Sequence, residues 1–125
     1  MSLLPKYCDC MEEWPENWAG EEIDVKIGHA IIEQFKPFIV HLIDKELSKK
    51  TIKTYLSYLA ALGGELIRQV NDNSKERKLS ARELILKYVN ADGGPYWRHA
   101  YNEQDDSKYN SVCKKLFKFM TGNIS

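Results

Sequence analysis

LSKKTIKTYLSYLAALGGELIRQV, residues 47–70, brings a serine cap, three early lysines and a helical apolar stripe into one segment. Ser48 stands at an N-cap position, where a side-chain oxygen accepts from the free N–H groups of a first helical turn. Ile52, Tyr55, Leu56, Leu59, Leu66 and Val70 recur at the spacing of one helix face, while Lys50, Lys53, Thr54 and Ser57 line another. The segment therefore predicts a helix that buries one face and displays donors and positive charge on the other. Two adjacent glycines cost about 2 kcal/mol of helix propensity relative to alanine. A kink or a close helix contact is expected where the helix crosses Gly63 and Gly64 on its way to about Val70.

Upstream, Ile23, Ile27, Ile31, Phe35, Phe38 and Leu42 keep helical spacing. Pro37 removes one amide donor and disfavours helical geometry at Lys36, which predicts two short helices or one kinked helix. Residues 1–22 hold Pro5, Pro15, Trp14, Trp18 and Gly20 without sustained periodicity and read as an irregular acidic arm, pinned to the core by its tryptophans. Residues 23–125 read as a single helical domain. Downstream, 71–78 is a loop by composition. Ser80 and Glu83 then form a capping box, with Leu79 and Leu84 as a staple, at the start of a helix that runs to about Tyr88 or Val89. NADGGP at 90–95 ends it. A last helix is expected to open at Ser107, with Tyr109, Val112, Leu116, Phe119 and Met120 on its apolar face and Lys108, Ser111, Lys115 and Lys118 on the other. No segment shows strand alternation, so the fold class is all-α, a bundle of four or five helices.

A chain of 125 residues, 43% hydrophobic, is long enough for one domain with its own core. The absence of a membrane-length apolar run and the acidic, aromatic N-terminus predict a cytoplasmic protein without membrane attachment. Cys8, Cys10 and Cys113 are too few and too uneven for a secreted disulfide framework and read as reduced thiols. The net charge of zero conceals a division: residues 1–24 carry seven acids against Lys6, and the remainder is correspondingly basic. The position of the lysines matters more to a polyanionic partner than their sum.

Lysines and helix N-terminal amides neutralise and hydrogen-bond phosphate oxygens, which positions a protein on DNA without reading its sequence. A surface helix also carries lysines simply for solubility. Cys8-Asp-Cys10 is a weak metal signal, and His29, His41 and His99 lack the spacing of a helical zinc site, so no metal or cofactor is expected. Neither phosphate-loop pattern is present and no nucleophile gathers with a base, so no enzymatic activity is expected. Tyr96, Trp97, His99 and Tyr101 read as a core plug or hinge rather than a ligand-stacking platform.

Leu47-Ser48-Lys49-Lys50-Thr51-Ile52 with Tyr55 and Leu59 resembles the "S-x-x-T-hydrophobic-x-x-Y-x-x-x-L" helix of the SAM-like, N-terminal core-binding domain of phage integrases, the tyrosine recombinases. The run from Asn110 to Phe119 looks like the last helix of that domain, and with the Phe35 to Phe38 helix the resemblance spans about residues 25–121. It implies an orthogonal helical bundle that packs on double-stranded DNA as an accessory or regulatory module in recombination or DNA integration. Carried over by position, and joined to the polar face of the helix, the DNA-binding residues are Lys49, Lys50, Thr51, Lys53, Thr54 and Ser57, then Lys114, Lys115 and Lys118. The chain contains no His-x-x-Arg pair and departs from the family in lacking the catalytic residues, so strand cleavage is not expected of it. The loop at 71–78, the turn at 90–95 and the acidic arm are further departures, and the arm is expected to repel phosphate or mask the lysines. The competing expectation is a protein-interaction domain that kept the fold without DNA binding, docking a partner or a second copy through Trp14, Trp18 or the aromatics of 96–101.

Overall fold

The computed structural model of the protein describes residues 11–20, 22–97 and 102–122. Among these the chain is helical throughout, with helices α1 (Trp14–Trp18), α2 (Glu22–Asp44), α3 (Lys49–Asp72), α4 (Ala81–Tyr88) and α5 (Glu103–Met120). Short 3-10 turns occupy Met11–Glu13 and Ser74–Lys78, and the one extended pairing is an isolated bridge between Asn90 and Gly93. Helix α2 lies at the centre, because α1, α3, α4 and α5 all pack against it. Ile31, Phe35 and Ile39 from α2, Leu59, Leu62 and Leu66 from α3, Leu84 and Ile85 from α4, and Tyr109 and Leu116 from α5 are fully buried together.

Helix α2 runs unbroken through Pro37 instead of dividing into two. Pro37 is exposed, whereas Phe35, Phe38 and Ile39 beside it are buried. An internal proline costs about 3 kcal/mol, and burying three large apolar side chains in one continuous helix, at roughly 1.5–3 kcal/mol each, outweighs it. Helix α3 likewise continues through Gly63 and Gly64. The close contact expected at this pair is made by a side chain: a Cβ on Gly63 would lie 2.2 Å from the ring of Trp18, and one on Gly28 in α2 would lie 2.8 Å from Pro15 Cβ. Helix α1 is thus let into a notch cut by glycines in the two longest helices. Residues 11–18, expected to be irregular, are helical for this reason: Met11, Trp14 and Pro15 are buried, and Trp18 packs on the core.

Polar groups close the same corner. Asp24 is fully buried at the start of α2, where its carboxylate accepts from Gly20 N at 3.0 Å and from Asn71 Nδ2 at 2.8 Å, and pairs with Arg77 at 3.4 Å. It ties together the α1–α2 connection, the end of α3 and the Ser74–Lys78 turn. The capping box on α4 forms as expected, with Glu83 N donating to Ser80 Oγ and Ser80 N donating to the Glu83 carboxylate. Helix α5 begins four residues before Ser107, because Asn102 caps it by accepting from Asp105 N, and Glu103, Asp105 and Asp106 complement the positive end of its dipole. The turn after α4 uses Gly93 at φ 137°, a backbone that side chains rarely adopt, and it docks on α5 through Gly94 N donating to Asn110 Oδ1 and Tyr109 OH donating to Pro95 O.

Glu46 holds a left-handed φ of 59° where α2 ends, a conformation that costs an L-residue about 1–2 kcal/mol. Glu46→Gly is expected to raise stability by about 1 kcal/mol in urea unfolding. Gly63→Ala is expected to destabilise by about 2–3 kcal/mol, since the new methyl displaces Trp18. In a Trp18→Ala background the same change becomes stabilising by about 1 kcal/mol, the helix propensity of alanine over glycine. A Gly63→Ala effect of the same sign in both backgrounds contradicts the notch.

Candidate nucleic-acid interface

The N-terminal half of α3 forms as its sequence predicts. Ser48 Oγ accepts from Thr51 N at 3.1 Å, and Ile52, Leu56 and Leu59 turn into the core. Lys49, Lys50, Thr51, Lys53, Thr54 and Ser57 are exposed as a consequence. Lys49, Lys50, Lys53, Thr54 and Ser57 surround a shallow depression of about 490 Å³. Beside it, α3 and α5 enclose a groove of about 270 Å³, lined by Lys50, Thr51, Thr54, Tyr55 and Tyr58 from α3 and by Lys108, Ser111, Val112 and Lys115 from α5. The two lysine-bearing helices expected to act together therefore share one groove.

Lys115 binds the groove together. Its Nζ donates to Tyr55 OH at 2.8 Å and lies 5.3 Å from the centre of the Tyr55 ring. Tyr58 OH donates to the Asp105 carboxylate at 2.8 Å, and burial, then that hydrogen bond, pushes its ionisation above the ordinary range, so it stays a neutral donor. Among the described residues, none of Lys49, Lys50, Lys53, Lys108, Lys114, Lys115 or Lys118 has a carboxylate within 4.0 Å; the lysines and arginines that do are Lys36, Arg68, Arg77 and Lys87. These seven ammonium groups on the exposed faces of two helices make a local positive field within a chain of zero net charge.

Lys114 and Lys118 are exposed on α5 but outside the groove lining, which takes Lys108 and Ser111 in their place. The spacing 108–111–115 is the helical stripe that faces α3, a periodicity present in the sequence, whereas the family resemblance points to the 114–118 cluster. The hydroxyls offer fewer donors than their number suggests. Thr54 OH donates to Lys50 O at 3.0 Å and Ser57 OH to Thr54 O at 2.8 Å, which leaves those oxygens as acceptors. Asp105, in the first turn of α5, reaches the groove through Tyr58, so the positive charge of the groove is greatest away from it, toward Lys50 and Lys115.

The described part of the arm does not cover the lysines. Trp18 rests on Gly63, ten residues from Lys53, or about 15 Å along the helix. Asp24, counted with the arm by charge, is consumed internally by Arg77 and Asn71. The first ten residues, which include Cys8 and Cys10, lie outside the described residues, as do His99 and Tyr101. Of the remaining aromatics, Trp97 is half-buried against the core, edge-on to Tyr58 at 5.8 Å and tilted against Tyr109 at 5.1 Å, while Tyr96 is exposed.

No group of three metal-ligating side chains occurs among the described residues. Cys113 is buried against Tyr109, and desolvation pushes its thiol up to about 12, which leaves it unreactive near neutral pH. No helix among the described residues is long and apolar enough to cross a membrane. No protein-family model, curated protein or solved structure matches this chain.

Sequence reading misses three buried carboxylates, Asp24, Glu65 and Glu76. The signal for Asp24 is its place on the buried stripe of α2, four residues before Gly28 and seven before Ile31. Glu76 accepts from Lys87 Nζ at 2.8 Å and from Tyr88 OH, and the lysine contact first, then the tyrosine, holds its carboxyl below the ordinary value of 4.5. In return the carboxylate pushes Tyr88 up from 10.0 to about 12. The stability contributed by Glu76 is present above pH 4.5 and lost as pH falls through its lower folded value. That from Tyr88 is complete below pH 10.0 and lost as pH rises toward about 12. Urea midpoints measured across pH are expected to fall at both extremes for the native chain. Glu76→Gln is expected to be less stable at pH 7 and to show a flatter acid limb.

Proposed function

We propose that the chain is a non-catalytic DNA-binding module that grips duplex phosphates with α3 and α5, in the manner of the core-binding domain of phage integrases, and serves as an accessory or regulatory element in recombination. The observation that carries the reading is the groove shared by the two helices, in which Lys50, Lys108 and Lys115 converge without carboxylate partners among the described residues. Two helices that present ammonium groups to one line can follow a phosphate backbone, whereas lysines placed only for solubility need no common groove. The all-helical fold, with a serine-capped α3 packed on α5, is compatible with that family resemblance.

The groove has few groups for reading bases directly. Of its hydroxyls, Thr54 donates to the α3 backbone and Tyr58 to Asp105, and the lining contains no arginine, asparagine or glutamine. Affinity on paired DNA is therefore mainly electrostatic and largely indifferent to sequence. The rival reading, docking of a protein through Trp14, Trp18 or the aromatics of 96–101, has less support at Trp14, which is buried, than at the half-buried Trp18 and the exposed Tyr96.

Titration of duplex binding against salt tests the proposal. Affinity is expected to fall steeply with salt, and Lys50→Ala combined with Lys53→Ala is expected to reduce the log–log slope by roughly 2, about 0.9 for each phosphate that is no longer neutralised. Lys26→Ala, an exposed lysine on α2, leaves the slope unchanged. Absence of binding at low salt refutes the reading.

A further inference from the structure

The outward face of α3 does not end with the lysines. Following the helical spacing of Lys50, Lys53 and Ser57, it continues through Ala60, Ala61, Gly64 and Arg68. The phosphate-facing stripe becomes a run of very small residues, then a guanidinium. Over that run lies a second cleft of about 390 Å³, within the roughly 300–1,000 Å³ typical of small-molecule sites. Its lining includes two indoles, Trp18 and Trp97, with Ala60, Ala61 and Gly64 as the α3 floor.

Both indoles are held in place by packing contacts. Trp18 is seated on Gly63, with Gly64 close to its pyrrole edge, and Trp97 is fixed by Tyr58 and Tyr109. Each is only half-buried, so part of each ring system remains accessible. Rigid aromatic surfaces bordering a floor without side-chain bulk suit a flat, aromatic guest. Arg68 on the wall, half-exposed and held at 3.5 Å by the buried Glu65, has guanidinium N–H groups, the kind of donor that recognises ring acceptors on base edges. Ser57, at the end of the lysine depression, is one helical turn from Ala61, about 6 Å.

We infer that the cleft between Trp18 and Trp97 takes a single unpaired nucleobase of the strand whose phosphates lie on the α3 lysines. The inference rests on the proposed phosphate contacts and adds a preference to them: the module favours DNA with a bulged or extruded base over fully paired DNA. A paired base cannot enter, because its flat faces are stacked within the duplex. Charge complementarity selects this occupant over an apolar peptide, since the same helix face carries Lys49, Lys50 and Lys53 at the end next to the cleft.

The test compares, with the full chain, a paired duplex and the same duplex carrying one bulged 2-aminopurine, whose fluorescence reports stacking. The bulged duplex is expected to bind about tenfold more tightly, within the range for one stacked base, with quenched 2-aminopurine emission. Ala61→Leu fills the floor with a strong helix former and is expected to abolish the preference and the quenching while leaving paired-duplex affinity and thermal stability near native. Lys50→Ala with Lys53→Ala weakens binding to both duplexes alike. Equal affinity for the two DNAs, or a preference that survives Ala61→Leu, overturns the inference while leaving the phosphate reading intact. Absence of binding to either DNA at low salt overturns both.

Discussion

Helix α1 can reach its seat only because two glycines, Gly28 in α2 and Gly63 in α3, leave no Cβ where Pro15 and Trp18 must lie. The cost falls on helix propensity, about 1 kcal/mol per glycine, and is offset by burial of Trp14 and Pro15 and packing of Trp18 against both long helices. This seat fixes where an otherwise detached segment ends. It also places the Asp24 carboxylate, which gathers Gly20, Asn71 and Arg77 at the same corner. A buried carboxylate without these donors would be strongly unfavourable, so the apolar seat and the polar hub depend on one another.

The seat also divides α3 into two working halves. Trp18 lies over Gly63 and beside Gly64, and leaves the exposed lysines from Lys49 to Lys53 uncovered. The acid-rich character of the N-terminal region therefore does not translate, within the described residues, into a screen over the basic face. Asp24 is neutralised inside the fold, and the described part of the arm is anchored about 15 Å from Lys53. On the other side of the lysines, α5 contributes Lys108 and Lys115, and the Lys115–Tyr55 contact holds the two helices in one groove. The basic face is thus a product of packing between elements separated by some sixty residues, not of one charged segment.

Much of the helical framework is legible in the chain itself. Ser48, and Ser80 with Glu83, announce their helices because a cap is a local hydrogen-bond requirement met within four residues. The buried positions of α3 and α5 follow from periodicity for the same reason: one face of a regular helix must be apolar if it packs. Sequence and structure part where a distant partner outweighs a local preference. Pro37 does not divide α2 because Phe35, Phe38 and Ile39 are wanted in one core. Trp14–Trp18 is helical because two glycines far along the chain make room for it. The start of α5 is a local exception: Asn102 caps it rather than Ser107, and the acids that follow Asn102 are an ordinary N-terminal signal.

The candidate site divides in the same way. Local sequence alone determines that Lys49, Lys50, Lys53, Thr54 and Ser57 face solvent, since the opposite stripe is apolar and a helix has only one inside. Whether those groups meet anything is decided by tertiary structure. The groove exists because α5 packs on α3 in the register that brings Lys108, Ser111 and Lys115 opposite Lys50 and Tyr55, with Lys114 and Lys118 outside it. The second cleft exists because Trp18 and Trp97, seventy-nine residues apart, are fixed beside the same row of small residues. Helical periodicity is a property of neighbours in sequence, whereas relative rotation and register between helices are set by how buried side chains fill shared space, and only the folded chain contains that information.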